Sequence, residues 1–426
     1  MNPTTILLLY LALASLDLLW GVFLTYLNWR SARAGGGAVP PELALSVSKE
    51  EAAKASAYSQ ARLRFALLEG PLTTLPTLAA AALGLFGLLD AALGSLASGF
   101  PVAPAFSRAA LFFVALALAS ALLSLPFSLW STFGIEKRFG FNTTTIRTWL
   151  FDGLKGALIS ALIGLPLLAL LMAFMDATGG LWWLWAAAIF SLVDIALSII
   201  FPLLIAPLFN KFSPLPEGSL ADRIRELADR LGFRTRGIFV MDGSKRSRHS
   251  NAYFTGLGAV KRVVLFDTLV STMGEDEILA VLAHEIGHEK RRHVLKMTAV
   301  SIVLAFVGFW VLSILMGWGE LYAAFGFSEP TKEAIMLIFA LVSGPTTFFL
   351  GPLFAAWSRR HEYEADAFAA RAAGKEAMAS ALLRLNKENA SNLWPHPLYA
   401  FWNYSHPTLR ERLAAIRRVE EKRVRS

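Results

Sequence analysis

Seven long apolar runs constrain this chain more than any of its other features. They cover roughly residues 6–27, 65–89, 109–130, 154–174, 181–208, 297–316 and 334–357. Each is near the ~20 residues that a helix needs to cross a bilayer core. With 55% hydrophobic and only 17% charged residues, the chain reads as a multi-pass membrane protein. The first run lacks a basic leader and a convincing small-residue cleavage site, and it is too long for a signal peptide. It is therefore expected to stay in the membrane.

Basic residues predict the orientation. Lys and Arg number six in 28–64, three in 130–150, fifteen in 209–296 and thirteen in 358–426. The other loops hold only Arg108 and Lys332, and Lys155, at the start of the fourth run, completes the 40. This alternation predicts an N-terminus outside and a C-terminus in the cytosol. It also accounts for the net charge of +8, so no nucleic-acid partner is needed to explain it.

Four pieces follow: 1–208 with spans one to five and their loops, 209–296, 297–357 with spans six and seven, and 358–426. The first loop opens on a Gly-rich, Pro-Pro stretch, read as a flexible break, and then favours a short helix leading into span two. In the fifth loop "SLADRIRELADRLGF" has helical periodicity, while "GIFVMD", "NAYFTGL" and "KRVVLFD" read as short strands. "GEDEILAVLAHEIGHEKRRHVLK" starts a helix with acids in its first turn, as the helix dipole favours, and is expected to run on into span six. "SRRHEYEADAFAARAAG" and "HPTLRERLAAIRRVEEKR" read as helices of the tail. The fifth loop and the tail are expected to pack together.

Why does so apolar a chain carry "VLAHEIGHEKRRH"? One answer is a solvated helix end beside a span; the other is a metal site. With no cysteine, any metal must be held by His, Asp or Glu. On a helix His284 and His288 lie about 40° apart and one turn along, so both can reach one ion. Glu285 is turned to address a water on that ion. A hydrolytic zinc site needs three protein ligands and an open position. His293 lies about 180° round a continuous helix from His284 and is expected to meet solvent or headgroups. In "HEYEADAFAA", Glu362 and Asp366 share a face, so Glu362 is expected to complete the site and Asp366 to accept a hydrogen bond from a ligand histidine. Glu364 points about 200° from Glu362, which suits a solvated role, and His361 is turned about 100° away.

The chain resembles a known family, the integral-membrane zinc metalloproteases typified by the CAAX prenyl endopeptidases of the sterile-24 type. The resemblance rests on "FGIEKRFGFNTTT", "PLLIAPLFNKFSPL", "SNAYFTGL", "AHEIGHEKRRH", "SRRHEYEADAFA" and "NYSHPTLRERL", in that order. It implies an all-α multi-pass membrane protein whose seven transmembrane helices enclose a water-filled chamber. A small α+β, gluzincin-like metalloprotease domain would stand on the cytosolic side. It implies one Zn2+ on His284, His288 and Glu362, with Glu285 as general base and Asp366 supporting the ligands. The "NAYF" stretch is similar to a substrate-docking edge, with Asn251 and Ala252 offering backbone hydrogen bonds and Asn251 a side chain. His406 would donate to the developing oxyanion, and Arg412 would bind a carboxylate or an acidic partner in the site.

Asp17, Asp90 and Asp194, within or beside the spans, give some support for a chamber, because such residues normally face a protein interior or water. Pro202, Pro207, Pro345 and Pro352 would kink spans five and seven. The expected activity is hydrolysis of extended peptides, prenylated CAAX-type or membrane-associated, at the lipid bilayer. Alanine-rich, lysine-poor usage and short external loops suggest a prokaryotic membrane, where a misfolded or membrane-embedded protein is the expected physiological substrate. Two alternatives differ in testable ways: a quality-control protease of the HtpX type, which has fewer spans, and a transporter whose metal site is structural.

Overall fold

The computed structural model describes residues 1–99, 103–233, 235, 237–255 and 262–420. Among them, seven helices are long and apolar enough to cross a membrane: Pro3–Gly35, Lys49–Ala82, Ala105–Glu136, Ile146–Ala177, Gly179–Leu208, His293–Leu315 and Lys332–Ala373. These are spans one to seven, and each overlaps one predicted run. The end of the second run is cut off by a left-handed turn at Gly84, beyond which Leu85–Ala97 forms a separate short helix. At the other end of span two, Ser48 accepts from the Glu51 N–H at 3.1 Å and Glu51 accepts from the Ser48 N–H at 3.0 Å. This reciprocal cap satisfies two orphan donors. The polar lead-in and span two are consequently one helix.

No span has more than 17% of its apolar window buried. Close packing would cover a whole face of each helix. Helices covered so little leave most of their apolar surface free of protein contact, as spans surrounded by lipid do. Span five loses its α-helical regularity in a π-turn at Phe201–Ile205 and a 3-10 turn at Ala206–Leu208, around Pro202 and Pro207. Span seven does so in a 3-10 turn at Phe348–Leu350, between Pro345 and Pro352. Proline lacks the amide hydrogen and crowds the preceding turn, so the bends fall where the sequence places it. Of the three aspartates, Asp90 is buried against Arg108 rather than facing water, Asp17 is half-buried and Asp194 is exposed.

The fifth loop and the tail pack at one end of the spans. Four short strands, β1 (Phe212–Pro214), β2 (Ile238–Met241), β3 (Ala252–Thr255) and β4 (Arg262–Phe266), make a mixed sheet in the order β1-β2-β4-β3. β2 and β4 run parallel; the other two pairs are antiparallel. The last residues of "NAYFTGL" and the first of "KRVVLFD" lie outside the described residues. Ile224, Leu265, Ile278, Ile286 and Leu413 share one core with Leu43 and Tyr58. The expected contact of fifth loop with tail is therefore present. Beyond its Gly-rich and Pro-Pro start, the first loop joins the same core through Leu43 and Ala52.

One local expectation is overturned. The helix carrying the two histidines does not run into span six. It spans Glu275–Lys290 and stops; Arg292 adopts a left-handed conformation at φ 55°, and a new helix begins at His293. A non-glycine residue in that region costs roughly 1–2 kcal/mol.

Candidate metal and catalytic centre

The Glu275–Lys290 helix begins with Glu275, Asp276 and Glu277, where free amide groups and the dipole favour negative charge. Glu277 accepts from the Gly274 N–H at 2.9 Å, closing the first turn. The helix lies against Gly351–Ala373, the final segment of span seven. Gly287 permits the approach: a Cβ there would stand 3.1 Å from Ala365 Cα and 3.2 Å from Phe368 Cβ. That close contact carries Glu362 to the histidines.

His284 Nε2 and His288 Nε2 are 3.1 Å apart, and the Glu362 carboxylate oxygens lie 3.5 Å and 3.4 Å from them respectively. All three side chains offer a donor atom within 4.8 Å of the others. Ligands about 2.0–2.1 Å from a tetrahedral zinc would be separated by about 3.3 Å. The spacing fits. Glu362 Oε2 is buried with no hydrogen-bond partner, a costly state that a cation would relieve. Two nitrogens and a carboxylate oxygen, with no thiolate, are a donor set that zinc accepts.

Behind the donors, His284 Nδ1 meets Asp366 Oδ1 at 2.9 Å. Arg412 forks onto Asp366, Nε to Oδ2 at 2.8 Å and Nη2 to Oδ1 at 2.6 Å, and Nη2 reaches Glu362 at 3.5 Å. Of the two roles expected for Arg412, the contact made is the one with an acidic partner in the site. Burial works against a charged His284, but Asp366 and Glu362 outweigh it and lift its pKa to about 9. A metal at Nε2 would displace that proton. Glu285 is half-buried between the ligand histidines in sequence, and burial pushes its carboxyl above the usual range. His406 is exposed, with Nε2 3.4 Å from Glu362 and Nδ1 2.9 Å from Ser405 Oγ.

β3 is an edge strand beside the histidine helix. The Asn251 carbonyl accepts from the Phe266 N–H at 3.1 Å, while Ala252 stands opposite Leu265 and Phe254 opposite Val263. Alternation along an antiparallel pair then turns the backbone groups of Ala252 and Phe254 to the open edge. Asn251 differs from expectation: its carbonyl serves the sheet, and its side chain accepts from the Ala252 N–H at 2.8 Å.

Sequence reasoning missed two neighbours of this cluster. His293 is buried, not in contact with solvent or headgroups, and its Nδ1 lies 3.0 Å from His288 Nδ1. Glu364 is half-buried rather than solvated and reaches His293 Nε2 at 3.3 Å. The miss came from treating the helix as continuous; nothing at Arg291 or Arg292 resembles a breaker. His361 stacks on His293 at 4.0 Å and is no part of the donor set.

Residues 28–211 match the family model described as CAAX prenyl protease N-terminal, five membrane helices, and residues 214–420 match peptidase family M48. The chain is 37% identical to CAAX prenyl protease 1 of Saccharomyces cerevisiae, over 94% of this chain and 93% of the yeast chain. It belongs to peptidase family M48. The CAAX prenyl protease 1 homolog of Homo sapiens is 35% identical over 76% of each chain. The crystal structure of S. mikatae Ste24p matches with a TM-score of 0.90 and 34% identity, over 96% of this chain and 99% of that one. As an M48 member spanning the membrane seven times, the chain is a membrane-embedded metalloendopeptidase that takes peptide or protein substrates.

Proposed function

We propose that this chain is a zinc endopeptidase holding one Zn2+ on His284, His288 and Glu362 and cutting an extended peptide laid along the open edge of β3. The single observation that carries the reading is the convergence of two imidazole nitrogens and a Glu362 carboxylate oxygen within 4.8 Å of one another, with Glu362 Oε2 buried and without a hydrogen bond. Bound there, the cation would acidify a water and polarise the peptide carbonyl. Glu285 accepts the water proton; its raised pKa suits a base that later hands the proton to the leaving amine. His406, exposed beside Glu362, donates a hydrogen bond to the oxyanion as it develops. Asp366 holds His284 by its Nδ1–H, and Arg412 holds Asp366.

The substrate adds as a strand, using backbone groups of Ala252 and its neighbours, with Asn251 ordering the Ala252 amide. Prenylated CAAX-type peptides, the substrate class after which the yeast and human CAAX prenyl proteases are named, are substrates of this reading. Membrane-associated proteins are the physiological ones if the source is prokaryotic, as the alanine-rich composition favours. The basic-residue alternation supports a cytosolic site and an external N-terminus. Segments 209–296 and 358–426 act as the protease unit, and segments 1–208 and 297–357 as the membrane chamber. Seven spans and a Ste24p-like fold along 96% of the chain disfavour the HtpX-type architecture.

The test is Glu285→Ala in the purified chain. Zinc stays stoichiometric while hydrolysis of a CAAX peptide ceases. Undiminished cleavage by that variant overturns the assignment, and solute accumulation in vesicles without any hydrolysis favours a transporter.

A further inference from the structure

We propose that His293 is a positioning residue: by a single hydrogen bond it holds His288 in the tautomer and ring orientation that a metal requires, with Glu364 holding His293 in turn. The inference rests on the metal reading above and deepens it. Glu364 presents only acceptor oxygens, so His293 Nε2, 3.3 Å away, must donate to it. A neutral imidazole has one donor and one acceptor, which leaves His293 Nδ1 as the acceptor. His288 Nδ1, 3.0 Å from it, must then be the donor, and the His288 lone pair stands on Nε2, facing Glu362 at 3.4 Å. The protons in this row have one consistent arrangement, and the acid at its end sets it.

The same logic operates independently on the other ligand, where Asp366 takes the His284 Nδ1–H. Each histidine is thus backed by its own carboxylate, directly for His284 and through an imidazole for His288. His293 is held for the task. It is 1% exposed, and His361 stacks on it at 4.0 Å with ring planes 11° apart. Arg360 reaches the other oxygen of Glu364 at 3.3 Å. The arrangement depends on the left-handed Arg292, because a continuous helix would carry His293 about 180° from His284.

The test measures zinc affinity by chelator competition on the purified full chain, with Glu362→Ala alongside. His293→Leu removes the acceptor and is expected to weaken zinc about 10–100-fold. His293→Asn places an amide oxygen where Nδ1 stood and is expected to restore affinity to within a few-fold. In the cobalt(II)-loaded protein the visible bands shift in His293→Leu and return in His293→Asn, a readout that a purely space-filling role would not follow. Parent-like affinity in His293→Leu, or equal weakening in both variants, overturns the positioning role. Zinc retained in full by Glu362→Ala overturns instead the metal reading itself, so the two failures are distinct.

Discussion

Two buried charged clusters sit at opposite ends of this molecule. At the end away from the sheet, Arg108 donates to Asp90 at 2.7 and 3.0 Å and to Glu329 at 2.8 Å. Its Nε also lies 3.0 Å from Glu333, although that hydrogen is given to Asp90. At the other end Arg412 stands behind Asp366, while the lone pairs of His284, His288 and Glu362 converge on one another. In the first cluster the chain supplies its own cation at the point where the acids meet. In the second its cation is set to one side, forked onto Asp366 behind the three donors. Carboxylate density is similar in the two places. What separates a structural ion cluster from a metal centre is where the positive charge stands.

The largest effect is expected from Glu362→Ala. It should abolish stoichiometric zinc, read by elemental analysis, and with it all hydrolysis, because two imidazoles alone make an incomplete hydrolytic site. Zinc retained in that variant would make the two clusters alike. Next, Arg108→Ala strands two carboxylates, Asp90 at 2% and Glu333 at 3% exposure. Removing one partner of a buried pair costs about 3–5 kcal/mol. Thermal unfolding in detergent should show that loss while zinc content stays unchanged; a parent-like melting temperature would break the contrast. The smallest effect is expected from Arg412→Lys. A lysine ammonium cannot reproduce the fork on Asp366. Zinc affinity should fall about tenfold in a competition titration, with little change in melting.

Much of the fold was legible because its signals are local. Apolar length marks the spans, proline marks the bends of spans five and seven, and acids mark the start of the helix at Glu275. His284, Glu285 and His288 were legible for the same reason, since helical pitch alone puts the imidazoles on one face. Glu362 and Asp366 could be nominated from their spacing on one helical face. Their meeting with the histidines depends on Gly287 lying against Ala365, a contact between distant segments. His293 was misread because periodicity describes a helix only while it continues, and Glu364 because the partner it meets is His293, brought there by that break. That the first loop joins the core of Leu265 and Ile286 has no local signature at all.

The sequence by itself determined that the chain crosses a membrane seven times and carries a histidine pair able to share one ion. Both properties follow from residue type and repeat along a single stretch. Only the tertiary structure decided that the final segment of span seven packs against that pair, with Glu362 facing it and Asp366 and Arg412 behind. It alone also decided that Arg292 turns the chain so that His293 meets His288. These depend on close backbone approach and on one unfavourable dihedral held by the packing around it, neither of which residue identity at those positions reveals.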